Sequence, residues 1–274
     1  IVNAQCTMQG TGLNTEVKEF IDTVWGTPRW VFSGLESATD YSVSGEVMAY
    51  CGGDDKGESV AFSFDFMTDC EAVVEFPFVE GFEGEKFPPR CWTQWQIASP
   101  DIVDSASQGW GRNTILTNYI NRGSASAQLY NRAEGYRHIL VSPQIDFGEG
   151  GYRLSFWQYR NNGYTIKQKE GIRVLINDKP TTEGATELIY IKSNMLMSQE
   201  VYEAGFYKYK VDILAGGKQY LIFEGISEDY TSSFIDDIEI SEIPECDDVS
   251  DFAVVDVLDT KVWVEMLDST VGSW

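Results

Sequence analysis

Phe234-Ile235-Asp236-Asp237-Ile238-Glu239-Ile240 reads as a single β-strand. Counting by twos sets Phe234, Asp236, Ile238 and Ile240 on one face, so a carboxylate stands among apolar neighbours, where an unpaired charge is costly. A metal ion or a buried hydrogen-bond network is expected to satisfy it. Working outward, the same alternation recurs at residues 75–83, 92–97, 127–131, 138–141, 152–159, 172–176, 187–191, 206–211 and 220–224. Short strands in that number within residues 76–243, separated by Gly, Asn, Asp and Ser turns, predict a two-sheet jelly roll. Long helical periodicity is nearly absent, and only residues 14–20 suggest a helical turn.

With 274 residues the chain predicts more than one compact unit. Hydrophobic residues make up 43% and aromatics 14%, enough apolar surface for packed cores and too much for a disordered chain. Lys and Arg total 20 against 43 Asp and Glu, and the net charge of -23 repels phosphate backbones and anionic membrane surfaces. Nucleic acid is therefore not an expected partner. No apolar run reaches the length of a membrane helix, so no membrane insertion is expected. An acidic excess of this size keeps an exported protein soluble, and it also suits a divalent cation such as calcium.

Five cysteines, Cys6, Cys51, Cys70, Cys91 and Cys246, include no C-x-x-C pair, and the single His138 does not complete a zinc site of known spacing. Disulfides in an oxidising compartment are the expectation. Cys70 with Cys91 would staple the central region to the segment before it, and Cys6 with Cys51 would bridge neighbouring strands. Cys246 would be left as the odd thiol or pair with another copy. Spacing alone does not fix this connectivity.

Toward the N-terminus, Tyr41-Ser42-Val43-Ser44-Gly45-Glu46-Val47-Met48-Ala49-Tyr50-Cys51 alternates as a half-buried strand, with Tyr41, Val43, Val47, Ala49 and Cys51 on one face. The spacing Gly34-Leu35, Thr39, Tyr41 resembles the E–F corner of fibronectin type III domains, where the tyrosine hydroxyl locks the turn. A strand over residues 58–66, closing at Thr68-Asp69-Cys70, resembles the end of such a domain. After Ile243-Pro244-Glu245-Cys246, residues 249–257 and 261–267 read as a hairpin that resembles its opening strands. Residues 1–75 are thus expected to be the C-terminal portion of one Ig-like sandwich, and residues 244–274 the N-terminal portion of another. Complementary ends of this kind imply a period of a tandem array, closure within one chain, or head-to-tail completion by neighbouring copies, which would build a filament.

Within the central region, Gly81-Phe82-Glu83, Phe87-Pro88-Pro89, Cys91-Trp92, Leu140-Val141-Ser142-Pro143-Gln144-Ile145-Asp146 and Leu154-Ser155-Phe156-Trp157 appear in that order, closed by the 234–240 strand. Together these segments resemble the cleaved-adhesin and MAM-like domains of bacterial surface proteins. The resemblance implies a calcium-stabilised jelly roll over residues 76–243 that serves adhesion or accompanies a secreted enzyme. It does not give a ligand.

Glu80 lies between Phe78 and Phe82 at alternate positions, and the first and last strands of a jelly roll can lie side by side. Glu80, Glu83, Asp236 and Asp237 are therefore the candidate calcium ligands. The competing reading has these acids capping strand ends or pairing with Arg153 or Arg173. Glu80 and Asp236 have the residue types of a glycosidase pair, yet nothing marks either as an acid catalyst. His138, in a strand with structural neighbours and no Gly-x-Ser-x-Gly elbow, reads as structural. Trp110, Tyr119 and Tyr164, with Tyr130 and Tyr159, fall in or beside loops where exposed rings would stack on sugars. The expectation is a non-catalytic protein of the cell surface or secreted fluid, acting in adhesion or scaffolding. Its partners would be copies of itself, neighbouring repeats, or a host protein, matrix protein or glycan. The alternative is a carbohydrate-binding module of a secreted hydrolase.

Overall fold

The computed structural model describes residues 2–10, 17–22, 34–50, 56–97, 109–130, 135–161, 170–193, 203–226, 232–244, 252–258 and 261–266. Among these, all regular structure is β except a 3₁₀ turn at Thr117–Tyr119.

Four strands come first: β1 (Val2–Gly10), β2 (Val17–Asp22), β3 (Asp40–Tyr50) and β4 (Lys56–Met67). They form one antiparallel sheet in the order β2-β1-β3-β4. The helical turn expected over residues 14–20 is corrected here, because Val17 to Phe20 are strand residues paired with β1. Ladder hydrogen bonds to β1 outweigh a short run of local helical spacing, which gains little without a nucleus. At the start of β3 the side chain of Tyr41 is buried, and its hydroxyl accepts a 2.8 Å hydrogen bond from the Glu36 amide, locking the corner before the strand as the sequence suggested. Tyr41 stacks on Phe66 at 5.7 Å, and Phe64 and Phe62 continue that row along β4.

The sandwich is built from twelve strands. These are β5 (Phe78–Glu80), β6 (Thr93–Ile97), β7 (Trp110–Asn113), β8 (Ser126–Leu129), β9 (Arg137–Val141), β10 (Ile145–Asp146), β11 (Tyr152–Arg160), β12 (Gly171–Asn177), β13 (Thr186–Lys192), β14 (Gly205–Ile213), β15 (Lys218–Ile226) and β16 (Ser233–Glu242). One sheet runs β13-β12-β15-β9-β6, with β10 on β15. The other runs β14-β11-β16-β8-β7, with β5 on β16. Trp92, Leu140, Phe156, Val174, Phe223 and Ile238 are among the buried side chains that fill the space between them. Close approach of the two layers demands glycine at 225, where a Cβ would stand 2.3 Å from Leu129 Cδ2. A hairpin of β17 (Phe252–Leu258) and β18 (Lys261–Met266) makes a separate two-stranded sheet.

Two covalent and polar ties join the first sheet's corner region to the sandwich. Cys70 and Cys91 form a disulfide across 21 residues, and Arg90 pairs with Asp40 at 3.0 Å while donating to the Ala38 carbonyl. Cys51 and Cys246 lie outside the described residues, and Cys6 stands opposite Gly45 in the β1–β3 register.

Candidate acidic loop site

The first and last strands of the sandwich do lie side by side: Glu80 of β5 stands opposite Ile238 of β16. On the same edge of β16, β8 pairs with Ser233–Ile235, so Asp236 and Asp237 fall in the gap between β8 and β5. A register shift against β11 between Ser155 and Trp157 marks a bulge there, with Asp237 at φ 48°. Aspartate tolerates the left-handed region better than most residues, which suits the Asp-Asp pair to this bend.

The bulge overturns the simple alternation. Ile235, Ile238 and Ile240 belong to the core between the sheets, whereas Phe234 stacks on Tyr119 at 4.3 Å. The extra residue at the bend changes the phase of the pleat, so Asp236 shares a face with Phe234 and not with Ile238 and Ile240. Asp236 is fully buried nonetheless, because the loop between β7 and β8 covers it.

That loop closes on the acids through its backbone. Asp236 Oδ2 accepts from the amides of Asn121 at 2.8 Å and Arg122 at 3.4 Å, and Oδ1 accepts from the Asp237 amide at 2.8 Å. Asn121 Nδ2 donates to Asp237 Oδ2 at 2.7 Å. Glu83 reaches the same loop from the other side, accepting from the Ser124 amide and hydroxyl and from the Ala125 amide. Arg112 fixes the segment before it by donating to the carbonyls of Phe82 and Glu83. Gly123 suits the turn because its φ is +70°, and a Cβ there would lie 2.0 Å from Glu83 Oε1 and displace that carboxylate from the loop amides.

Burial pushes the Asp236 carboxyl up to about 6, against the pull of its three amide donors. Burial also raises Glu80, whose Oε1 accepts from the Phe82 amide, with the Glu83 charge adding to the rise. Glu83 is lowered instead, first by the Ser124 hydroxyl. The four acids therefore sort into two pairs, Glu80 with Glu83 and Asp236 with Asp237. The exposed Arg122 stands 3.9 Å from Asp237. Among the described residues no three His, Cys, Asp or Glu side chains converge as a metal site. The donors are nonetheless hard oxygens, the chemistry calcium takes, and two of the carboxylates, Glu80 and Asp236, are held up by burial with no salt bridge among the described residues.

No family model matches the sequence, and no curated protein matches it. Solved structures share its β-sandwich fold. The K1 cleaved adhesin domain of Lys-gingipain from Porphyromonas gingivalis W83 is 17% identical over 61% of this chain and 99% of its own, with a TM-score of 0.46. TmCBM61, solved with beta-1,4-galactotriose, is 14% identical over 59% and 94%, with a TM-score of 0.39. The CBM22-1 xylan-binding domain from Paenibacillus barcinonensis is 11% identical over 62% and 95%, with a TM-score of 0.36. At these values the likenesses assign neither a family nor a ligand.

Of the aromatic residues expected at a ligand surface, Trp110 is corrected: it is buried in the core, and its indole N–H donates to the His138 carbonyl. Its position on β7, paired with Leu129, places it inside, which a reading of the surrounding glycines as loop does not reveal. Tyr119 is half-buried, edge-on to Tyr159 at 4.6 Å. Tyr164 lies outside the described residues. His138 is buried with neither ring nitrogen hydrogen-bonded, and burial lowers its pKa, so it is a neutral interior side chain. Arg153 and Arg173 pair with Asp212 and Glu224, not with the loop acids. Sequence reading missed Arg112, Gly123 and the buried Glu224. For Glu224 a signal existed, since the apolar run Leu221-Ile222-Phe223 indicates a strand buried on both faces, where a charge requires partners.

Proposed function

We propose that the protein is a non-catalytic adhesion or scaffolding module of a secreted, cell-surface protein. The sandwich of residues 76–243 serves as its binding or spacer unit, and the fibronectin-like sheet serves as a joint. The observation that carries this reading is the face of β4. Val60 and Phe64 are 66% and 51% exposed on the strand face that continues through Phe62 and Phe66 to buried Tyr41. Apolar side chains in such a row suit a second β layer. The tyrosine corner at Tyr41 supports the fibronectin-like reading. The β17–β18 hairpin, two-stranded among the described residues, has edges with which to supply the layer in a neighbouring copy or repeat. A contact between unlike surfaces of successive copies runs head to tail and builds a filament.

The Cys70–Cys91 disulfide favours an oxidising, extracellular setting. No helix among the described residues is long and apolar enough to cross a membrane. Calcium is proposed at Asp236 and Asp237, with Glu80 beside them and Glu83 bracing the loop. It would supply the positive charge that the buried carboxylates lack, and it would hold the loop on β16. The same contacts support a non-catalytic role: the candidate acid pair accepts from backbone amides, and His138 is sealed in the interior. Glycan binding is the second reading, favoured by the half-buried Tyr119 and Tyr159 rings beside the loop.

Light-scattering mass over a concentration series tests the joint. The native chain is expected to form species heavier than 30.8 kDa that grow with concentration, and Phe64→Glu is expected to return it to that mass. A native chain that remains at the monomer mass throughout would remove the proposal.

A further inference from the structure

We infer that the exposed β6–β9 edge of the sheet β13-β12-β15-β9-β6 binds an acidic saccharide on its outer side, with Trp95 as the stacking platform and Arg137 as the carboxylate contact. This site is on the opposite sheet from the acidic loop, and it stands whether or not the copies associate.

The register places one row across all five strands: Trp95 opposite Ile139, Ile139 opposite Glu224, Glu224 opposite Arg173, and Arg173 opposite Tyr190. These residues face away from the core between the sheets, because Ile139 belongs to a separate apolar cluster with Val141, Leu175 and Ile222 on the outer side. Trp95 is 36% exposed on the edge strand β6. Its neighbour two positions on, Ile97, stands opposite Arg137. Trp95 and Arg137 are therefore diagonal neighbours, a separation of about 7–8 Å that long and aromatic side chains span.

Glu224 is fully buried at the middle of the row, and both arginines grip it. Arg137 engages Oε1 through Nε and Nη2, and Arg173 engages Oε2 through Nε at 2.6 Å and through Nη2. A carboxylate shared between two guanidiniums fixes both forks in place, and Glu187 beside Arg173 balances the second charge. Arg173 Nη1 leans toward the half-exposed Glu187 at 3.5 Å. Arg137 Nη1 has no protein partner among the described residues, and the Arg137 side chain is 39% exposed. The result is a preorganised guanidinium with an exposed edge beside a partly exposed indole.

A saccharide ring offers an apolar face of C–H groups to stack on an indole, and a uronic acid carries its carboxylate at the ring edge, where a diagonal arginine meets it. The protein's overall negative charge disfavours densely charged polyanions, so a short acidic oligosaccharide fits better than a nucleic acid or a heavily sulfated chain.

The test is titration of the full chain with trigalacturonate, a hyaluronan tetrasaccharide and neutral cellotetraose, followed by tryptophan fluorescence and calorimetry. At least one acidic probe is expected to bind at least tenfold tighter than cellotetraose. Trp95→Ala, on the edge strand, is expected to abolish that binding in a chain that still unfolds cooperatively. Arg137→Lys keeps a charge for Glu224 but loses the fork, and is expected to weaken binding at least tenfold. Equal affinity for cellotetraose, no binding of either acidic probe up to about 10 mM, where an interaction is weaker than roughly 3 kcal/mol, or full binding by Trp95→Ala would each overturn the inference.

Discussion

Replacing Asp236 by asparagine should remove a pH dependence of stability that the native chain carries in chelator. In the folded state burial raises the carboxyl from 3.8 to about 6. A group raised in this way contributes stability that is fully present below its unfolded value and lost as pH rises through the folded value. From those two values the contribution is about 1.4 kcal/mol near pH 5 and close to nothing near pH 7.5. Urea melts of the native chain and of Asp236→Asn, each at both pH values with EDTA, measure it. The native chain should lose about 1.4 kcal/mol more than the variant on going to the higher pH, a fall in Tm of about 3–5 °C. Buried His138, whose lowered pKa acts in the opposite direction, and raised Glu80 are present in both proteins and drop out of the difference. A gap between the two proteins that is the same at both pH values would show that Asp236 is not held up by burial.

Three further outcomes follow from the same geometry. Calcium, if bound by ionised Asp236, should bind about tenfold more weakly near pH 5 than near pH 7.5; calorimetry giving one affinity at both would exclude that ligand. Gly123→Ala should cost about 1–3 kcal/mol in urea melts, because the new methyl meets Glu83 and the backbone sits at φ +70°; an unchanged midpoint would mean the loop is not clamped. Tyr41→Phe should cost about 1–1.5 kcal/mol by leaving the Glu36 amide without its partner, and a neutral variant would deny the corner a stabilising role.

All ten strands expected in the central region are present, because each carries enough alternating apolar residues to announce a face. β7 escaped because Trp110-Gly111-Arg112-Asn113 has one apolar side chain, and its strand character comes from pairing with β8. β10 has only two residues. The nearness of Glu80 to β16 followed from the order of strands in a jelly roll. The phase error at Asp236 arose because a bulge is a property of two paired strands, and one strand's alternation does not contain it. Glu83's partners stayed hidden for a related reason, since Ser124 and Ala125 are about forty residues away and are brought near only by the loop's fold.

Mixing two complementary full-length variants tests the central claim of a head-to-tail joint most directly. Phe64→Glu blocks the β4 face and leaves the hairpin, while Val262→Pro disrupts the β17–β18 ladder and leaves the face. Each alone should have the mass of one chain, and an equimolar mixture should give a heterodimer of twice that mass and nothing larger. A mixture that stays monomeric, or either variant forming polymers alone, would contradict the account.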